Sequence, residues 1–251
     1  MRLVADVHGA AAALRAVAQG PGPLLVLGDL INFIDYRTYD GIAADLFGKE
    51  YVTRMVELRG AGDLAGARRL WDERRAGRED QIRADYVRLI EDAYREIGAA
   101  LEGARGYVIW GNVDRPDLLA GHLPAGMELI DAAAIEVSGL RVGLVSGGLA
   151  SSLGASGEIS DAEMEAKLGS LGPVDVLCTH VAPDVDALAS DVVGGTRKGS
   201  PAVLRYLLRH RPTHHYFGDV HQPRAVRWRI GTTLSRNVGY FRATGRVVTH
   251  P

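Results

Sequence analysis

The sequence predicts an α/β fold, on three observations. Short apolar runs recur along the whole chain, helical segments separate them, and run after run ends in Asp, Asn or His. Short apolar runs bounded by turn residues are the signature of buried strands. The runs are Leu3-Val4-Ala5, Leu24 to Leu27, Tyr107 to Trp110, Val174 to Cys178 and His215 to Phe217. They end in Asp6-Val7-His8-Gly9, Gly28-Asp29, Gly111-Asn112-Val113-Asp114, Thr179-His180 and Gly218-Asp219-Val220-His221. Polar residues at successive strand ends converge at one rim of a sheet, where α/β proteins build their sites.

Met1 to Gly28 reads as strand, helix, strand. An Ala-rich helix covers about Ala10 to Gln19, and Gly20-Pro21-Gly22-Pro23 turns into the second strand. A βαβ unit makes these two strands parallel. Tyr39 to Ala104 is helical instead, with Ile82, Tyr86, Leu89, Ile90, Ala93, Tyr94 and Ile97 on one face. Gly60-Ala61-Gly62-Asp63 separates two helices, with Asp63 as N-cap. Residues 37–104 therefore read as a helical insertion that caps the sheet rim or makes a homo-oligomer contact. Strands return at Met127 to Ile130, Ala134 to Val137 and Arg141 to Val145, and Gly147-Gly148 opens a loop. Ser160 and Glu163 form a capping-box pattern for a helix over Asp161 to Leu168. Asp184 to Gly195 reads as a polar loop, and Pro201 to His210 as an amphipathic helix stopped by Pro212. From His214 onward the chain reads as strands and turns.

The composition narrows the function classes. A chain of 251 residues with 47% hydrophobic content supports one substantial core, so residues 1–251 are expected to form a single domain that carries the insertion. One cysteine, Cys178, excludes an internal disulfide framework and fits a reducing compartment. It ends an apolar run and reads as a buried strand residue rather than a thiolate ligand. No apolar stretch approaches the ~20 residues of a membrane span, and the first strand leaves no room for a signal peptide. A cytoplasmic protein with no membrane contact is expected. Net charge is −2, but Val113 to Gly195 holds thirteen acids against three bases, and Thr196 to Arg246 eleven bases against Asp219. Two faces of one domain that neutralise each other explain this more simply than a nucleic-acid footprint. Lys49 to Glu96 carries eleven bases and eleven acids interleaved, the pattern of a solvated helical surface, so Arg68, Arg69, Arg74, Arg75, Arg78, Arg83 and Arg88 are not read as a nucleic-acid face.

Asp, His and Asn are the oxygen and imidazole donors that suit Mn, Fe or Zn, so the strand-end series reads as a metal-dependent hydrolase. Taken in order, the motifs resemble the calcineurin-like metallophosphoesterases. That family's pattern is Asp-x-His, Gly-Asp, Gly-Asn-His-Asp/Glu, a His, and Gly-His-x-His. The resemblance runs from Asp6 to His221. Each motif alone is weak; five in order, each after an apolar strand, are specific.

The resemblance implies a four-layer αββα sandwich of two mixed β-sheets. It implies two divalent metal ions, Mn first, with Fe, Zn or Mg as alternatives. Asp29 would bridge them; Asp6, His8 and His221 would complete the first site; Asn112, His180 and Asp219 the second. A hydroxide held between the ions would attack phosphorus. Asn112, Asp114 and His180 are the expected catalytic residues, with Asp114 orienting His8 or another ligand. The implied activity is a phosphoesterase acting on a small or nucleotide-like substrate, with diesters ahead of monoesters. A non-catalytic metal- or phosphate-binding protein is the alternative from another class.

Two departures bear on that choice. The family's second metal takes a His where this chain has Asp219. Asp219 reads either as a ligand, favouring Mn or Mg, or as a turn cap beside a weak or absent second ion. Val113 stands where many members have a His that contacts phosphate and protonates the leaving group. Its absence favours good leaving groups, because acid catalysis contributes about 10²-fold or more. Other residues near the motifs are open to two readings. His214 and His215 lie on one strand, so one faces in and one out. His122 reads as a loop residue or a substitute acid. Arg197 and Lys198, in Gly194-Gly195-Thr196-Arg197-Lys198-Gly199, read as a phosphate grip or a solvated turn, and Arg115 likewise. Asn32 and Asp35 lie just beyond Asp29 with no assigned role.

Overall fold

A computed structural model describes residues 1–151, 154–193 and 195–251. Gly194, the first glycine of the Gly-rich loop, lies outside the described residues.

The chain opens with β1 (Arg2–Val4), α1 (Ala11–Ala18) and β2 (Leu24–Leu27), and β1 and β2 pair in parallel. Four helices follow: α2 (Ile42–Phe47), α3 (Lys49–Gly60), α4 (Leu64–Arg75) and α5 (Glu79–Ala100). The chain re-enters the same sheet as β3 (Gly106–Ile109), passes α6 (Pro116–Leu119), and adds β4 (Met127–Leu129). A hairpin of β5 (Ala132–Val137) and β6 (Leu140–Val145) starts the second sheet. A small pair, β7 (Gly148–Leu149) with β8 (Glu158–Ile159), leads to α7 (Asp161–Leu171) and β9 (Val176–Thr179). Then come β10 (Ala182–Pro183), α8 (Asp186–Ala189), β11 (Gly199–Ser200), α9 (Pro201–His210) and β12 (His214–Phe217). The chain ends with β13 (Arg227–Ile230), β14 (Thr233–Asn237), α10 (Phe241–Thr244) and β15 (Val248–Thr249).

Two mixed sheets result, in the orders β15-β1-β2-β3-β4 and β13-β14-β12-β9-β6-β5. The period-2 alternation of strand side chains sorts the core into layers. Leu3, Leu25, Leu27 and Ile109 face inward and meet Val142, Leu144, Val176 and Cys178 of the second sheet. Val4, Leu24, Val26 and Val108 face outward and pack on Leu14 of α1 and on Ile90, Tyr94 and Ile97 of α5. On the far side, Leu177 and Phe217 pack on Met164 and Leu168 of α7 and Val203 and Leu207 of α9. The architecture is the expected α/β sandwich, with helices outside both sheets.

The helical block divides unevenly. Helix α5 is a layer of the sandwich: Ile90 and Tyr94 are fully buried against the sheet. Helices α2 to α4 form their own small cluster around Tyr51, Val52, Met55 and Ala67, seated on Phe33, Ile34 and Tyr39 of the loop after β2. Asp63 caps α4 by accepting from Gly66 N, and Arg54, Arg88 and Arg95 pair with Glu57, Asp85 and Asp92 on the exposed faces. The Ser160–Glu163 capping box forms as expected, but α7 runs three residues further, to Leu171.

Two expectations are corrected by one-turn helices. The segment read as a polar loop holds α8, and the strand-and-turn tail holds α10. Single turns are too short for a 3.6-residue period to register. Asp186 in α8 is held by Arg224 at 2.6 Å, an interaction invisible to local pattern.

Candidate metal centre

The parallel strands β1, β2, β3, β9 and β12 all point their C-terminal ends the same way. The rim is therefore shared by two sheets, where the strand-end series alone implied one. Residues just past the five ends meet there. The two halves are tied by backbone: Gly218 N donates to His180 O at 2.9 Å, and Asp219 N donates to both Asp6 carboxylate oxygens at 3.1 Å.

The glycines preceding Asp29 and Asp219 are required by this approach. Gly28 has φ +88°, and a Cβ there would lie 2.6 Å from Gly111 N and from His180 Nδ1. A Cβ on Gly218 would lie 2.6 Å from Asp6 Oδ2. The residues after them are themselves bent into an uncommon region. Among the described residues, positive φ outside glycine occurs at seven positions, and four are Asp6 (55°), His8 (40°), Asp29 (52°) and Asp219 (62°). Such backbone costs of order 1–3 kcal/mol per residue and concentrates where function requires it.

The donor atoms form a continuous path. His221 Nε2 lies 3.5 Å from Asp6 Oδ1 and 3.2 Å from His8 Nε2. His8 Nε2 lies 3.5 Å from Asp29 Oδ2. Asp29 Oδ1 lies 3.5 Å from His180 Nε2, which is 3.3 Å from Asn112 Oδ1 and 4.0 Å from Asp219 Oδ1. Asp29 thus faces His8 with one oxygen and His180 with the other, the disposition of a bridging carboxylate. Two donors bound to one ion at about 2.0–2.2 Å stand roughly 3 Å apart, so these spacings fit shared cations. Asp6, His8 and His221, and Asp6, Asp29 and His180, each bring their donor atoms within 4.8 Å of one another.

The imidazoles are oriented for the same purpose. His8 Nδ1 meets the Ile31 carbonyl at 3.2 Å and His180 Nδ1 the Leu27 carbonyl at 2.8 Å. A carbonyl only accepts, so each Nδ1 carries the proton, and in the neutral ring Nε2 presents a lone pair to the centre. Burial keeps His8 neutral by lowering its pKa, although Asp29 pulls the other way. Burial also opposes charge on His180, but Asp29, with Asp219 and Asp6, outweighs it and raises that pKa to about 10. Burial disfavours ionisation of Asp29, yet His180, His8 and the Val113 N–H hold its pKa far below the usual carboxylate range. His221 rises despite burial because Asp6 bonds it.

The resemblance implies that Asp114 orients His8 or another ligand; it is fully buried, and its hydrogen bonds go to neither His8 nor another candidate ligand side chain among the described residues. Its carboxylate accepts from Leu30 N at 3.0 Å, Gly111 N at 2.9 Å and Tyr94 Oη at 3.3 Å. It braces the loops that carry Asp29 and Asn112, behind the donors. Burial and the charge of Asp29 push its carboxyl up to about 6.

Of the remaining candidates, His215 is a satisfied core residue, bonded to Thr179 Oγ1 at 2.9 Å and Ser235 Oγ at 2.8 Å. His214 faces outward beside His250. His122 stacks near Tyr94, with ring centroids 6.3 Å apart. Arg115 is held by Asp117. Arg197 and Lys198 separate: Arg197 pairs with Asp184 at 2.6 Å, whereas Lys198 Nζ turns inward onto Asp219 Oδ1 at 2.7 Å.

Sequence reading missed Tyr240 and Arg242. The Tyr240 ring stacks on His221 at 4.0 Å and 9°, and Arg242 links the His8 carbonyl to Asp35. Both follow the last motif by some twenty residues, and the Ala5–Tyr240 bridge together with the Arg242 N bond to Asp6 O brings them to the site. Asp35 gains a structural role here, also accepting from Arg37 N and Thr38 N. A cleft of about 730 Å³ opens at the opposite end of the first sheet, between Pro23, Arg105 and Gly126, away from every donor named above.

No protein-family model and no curated protein sequence matches this chain. Solved structures do: 45 chains match. One crystal structure aligns with TM-score 0.61 at 16% identity, covering 98% of this chain and 92% of its own. At that identity the likeness shows the fold alone. It establishes an α/β sandwich along the whole chain. Among the described residues no helix is long and apolar enough to cross a membrane.

Proposed function

We propose that this chain is a dinuclear-metal phosphoesterase, acting on small or nucleotide-like phosphodiesters ahead of monoesters. One observation carries the reading: Asp29 divides its two oxygens between His8 and His180, so a single buried carboxylate serves two donor clusters. Three buried carboxylates, Asp6, Asp29 and Asp219, converge there beside the Lys198 ammonium, and the rise of the His180 pKa to about 10 registers the same excess of negative charge, which a bound cation would offset. The donor set is oxygen and imidazole, which suits Mn, with Fe, Zn or Mg as alternatives.

Two such ions would neutralise the phosphoryl oxygens and lower the pKa of an attacking water. The chain's own residues set the rest. Asn112 and His180 define one wall with their side-chain donors, and His221, whose side chain is 31% exposed, marks the open side. Tyr240 covers the outer face of His221 and narrows that opening. Val113 gives its N–H to Asp29 Oδ1 and offers no proton to a departing alkoxide. His122 packs beside Tyr94, outside the donor cluster, so leaving groups that depart as stable anions are favoured.

We also propose a cytoplasmic setting, on the strength of a lone buried thiol, Cys178. Self-association would use α2 to α4, where Leu64 is 54% exposed.

The deciding experiment is hydrolysis of an activated aryl phosphodiester by the Mn-loaded protein, with Asn112→Ala as control. Turnover that falls about 10²-fold or more in the variant supports the reading. Turnover of aryl monoesters alone would replace the diester preference. No turnover with metal bound would favour a binding role, which the altered residue 219 also supports.

A further inference from the structure

The second cluster differs from the first in a way that involves a residue outside every motif. Asp219 is nearly fully buried, and its Oδ1, the atom facing His180, is also the atom that Lys198 Nζ grips at 2.7 Å. Lys198 Nζ approaches the Asp219 carbonyl as well, at 3.3 Å. The ammonium is delivered there by a tethered backbone, not by a loose turn. Lys198 N donates to Ala189 O at 2.8 Å, Arg197 and Ser190 form a bridge, and β11 pairs with β10 directly after His180-Val181. The Arg197 guanidinium is pinned outward on Asp184 at 2.6 Å, so the two adjacent basic residues point opposite ways.

The charge balance follows. A carboxylate with an ammonium on it is neutral, as an imidazole ligand would be. The difference is that the positive end of the pair is a fixed cation beside the cluster formed by Asp29, Asn112 and His180. A divalent ion on Asp219 would sit within a few ångströms of that ammonium. A divalent cation and an ammonium that close repel, and more strongly in a partly buried site than in water. The Lys198 side chain is 40% exposed, so it lies at the margin of the cluster while its ammonium bonds the buried Asp219 carboxylate.

We propose that Lys198 is a built-in substitute for much of the second cation: the site holds one ion tightly through Asp6, His8, Asp29 and His221, holds a second one weakly, and uses the Lys198 ammonium to bind a phosphate oxygen. This rests on the metallophosphoesterase reading above. Lys198 would touch substrate directly, and Asp219 positions it.

Calorimetric titration with Mn²⁺ and then inorganic phosphate tests both parts without reference to turnover. The wild-type protein takes up one Mn²⁺ tightly and a second at least about tenfold more weakly. Lys198→Met keeps the stem and removes the charge. It should tighten the second ion about tenfold, leave the first unchanged, and weaken phosphate binding to the one-ion protein about tenfold or more. Lys198→Arg should restore phosphate binding, which a merely structural role for the stem would not require. Thermal unfolding of each variant establishes that it is folded, and Lys198→Gln serves in place of Lys198→Met if that one is not. Two equally tight ions in the wild type, or phosphate binding indifferent to Lys198→Met, overturns the proposal and leaves the phosphoesterase reading standing. Failure of the wild type to bind any Mn²⁺ overturns both.

Discussion

The two halves of the candidate metal centre are built from the same kind of strand end, yet they solve the charge problem differently. In the first half, Asp6, His8 and His221 bring their donor atoms together, and His8 faces one oxygen of Asp29. In the second, Asn112 and His180 face the other oxygen, and Asp219 arrives already paired with Lys198. The first half can be judged from its motif residues alone. The second cannot, because the residue that offsets Asp219 lies 21 positions earlier in the chain. A substituted ligand is therefore not evidence of a lost site until its new neighbours are known.

The comparison breaks most completely at the carboxylate both halves share. Asp29→Asn keeps the shape and removes the bridging charge. Both ions should be lost, each affinity falling at least about 10²-fold, as metal analysis after gel filtration would show. Retention of two ions would mean that Asp29 bridges nothing. The Val113 N–H that now donates to Oδ1 would survive the change, so the fold should persist.

Val113→His asks whether chemistry is limited by the missing proton rather than by the altered second half. Hydrolysis of alkyl phosphates should rise by about 10-fold to 10²-fold, with little change for activated aryl esters. Unchanged alkyl rates would locate the proton source elsewhere in the site. Asp219→Ala sharpens the comparison from the other side. One ion should weaken about tenfold and the other should keep its affinity, read by the same calorimetry. If both stay unchanged, Asp219 holds no ion and serves only the turn at φ +62° and the Lys198 contact.

Most of the architecture was legible because local chemistry agreed with the final fold. The parallel pairing of β1 and β2, the Asp63 and Ser160 caps, and α9 over Pro201–His210 all follow from signals within a few residues. The donors were legible for the same reason: each sits immediately after an apolar run. What could not be read depends on contacts between distant segments. The resemblance implies that Asp114 orients His8 or another ligand, but which groups it meets depends on the loop, which turns its carboxylate onto Leu30 N and Gly111 N. Tyr240 and Arg242 carry no motif, and long-range backbone bonds to Ala5 and Asp6 bring them beside His221 and His8. Lys198 and Arg197 are equivalent in sequence and opposite in space. Strain was equally hidden: Asp and His tolerate a positive φ better than most residues, but nothing local marks Asp6 and His8 as adopting it.

The smallest effect concerns the support beneath the second half alone. His215 lies on β12 between Thr179 of β9 and Ser235 of β14, and so joins the strands that deliver His180 and Asp219. Burial lowers its pKa from 6.5 to about 3, so the folded protein keeps it neutral where the unfolded chain protonates it. Between those two values the unfolded state binds the extra proton, and stability must fall as pH falls. Its contribution is complete above pH 6.5 and declines by at most about 1.4 kcal/mol per pH unit toward pH 3. Chemical denaturation at a series of pH values should show this slope, and His215→Gln should flatten it at a cost of about 1–3 kcal/mol for disturbed partners. Because β1, β2 and β3 do not depend on His215, mild acid should release the weaker second ion through this strand contact before the first half yields. An identical pH slope in the variant would assign the acid sensitivity to the donors themselves, and the two halves would then share one titration instead of differing in their support.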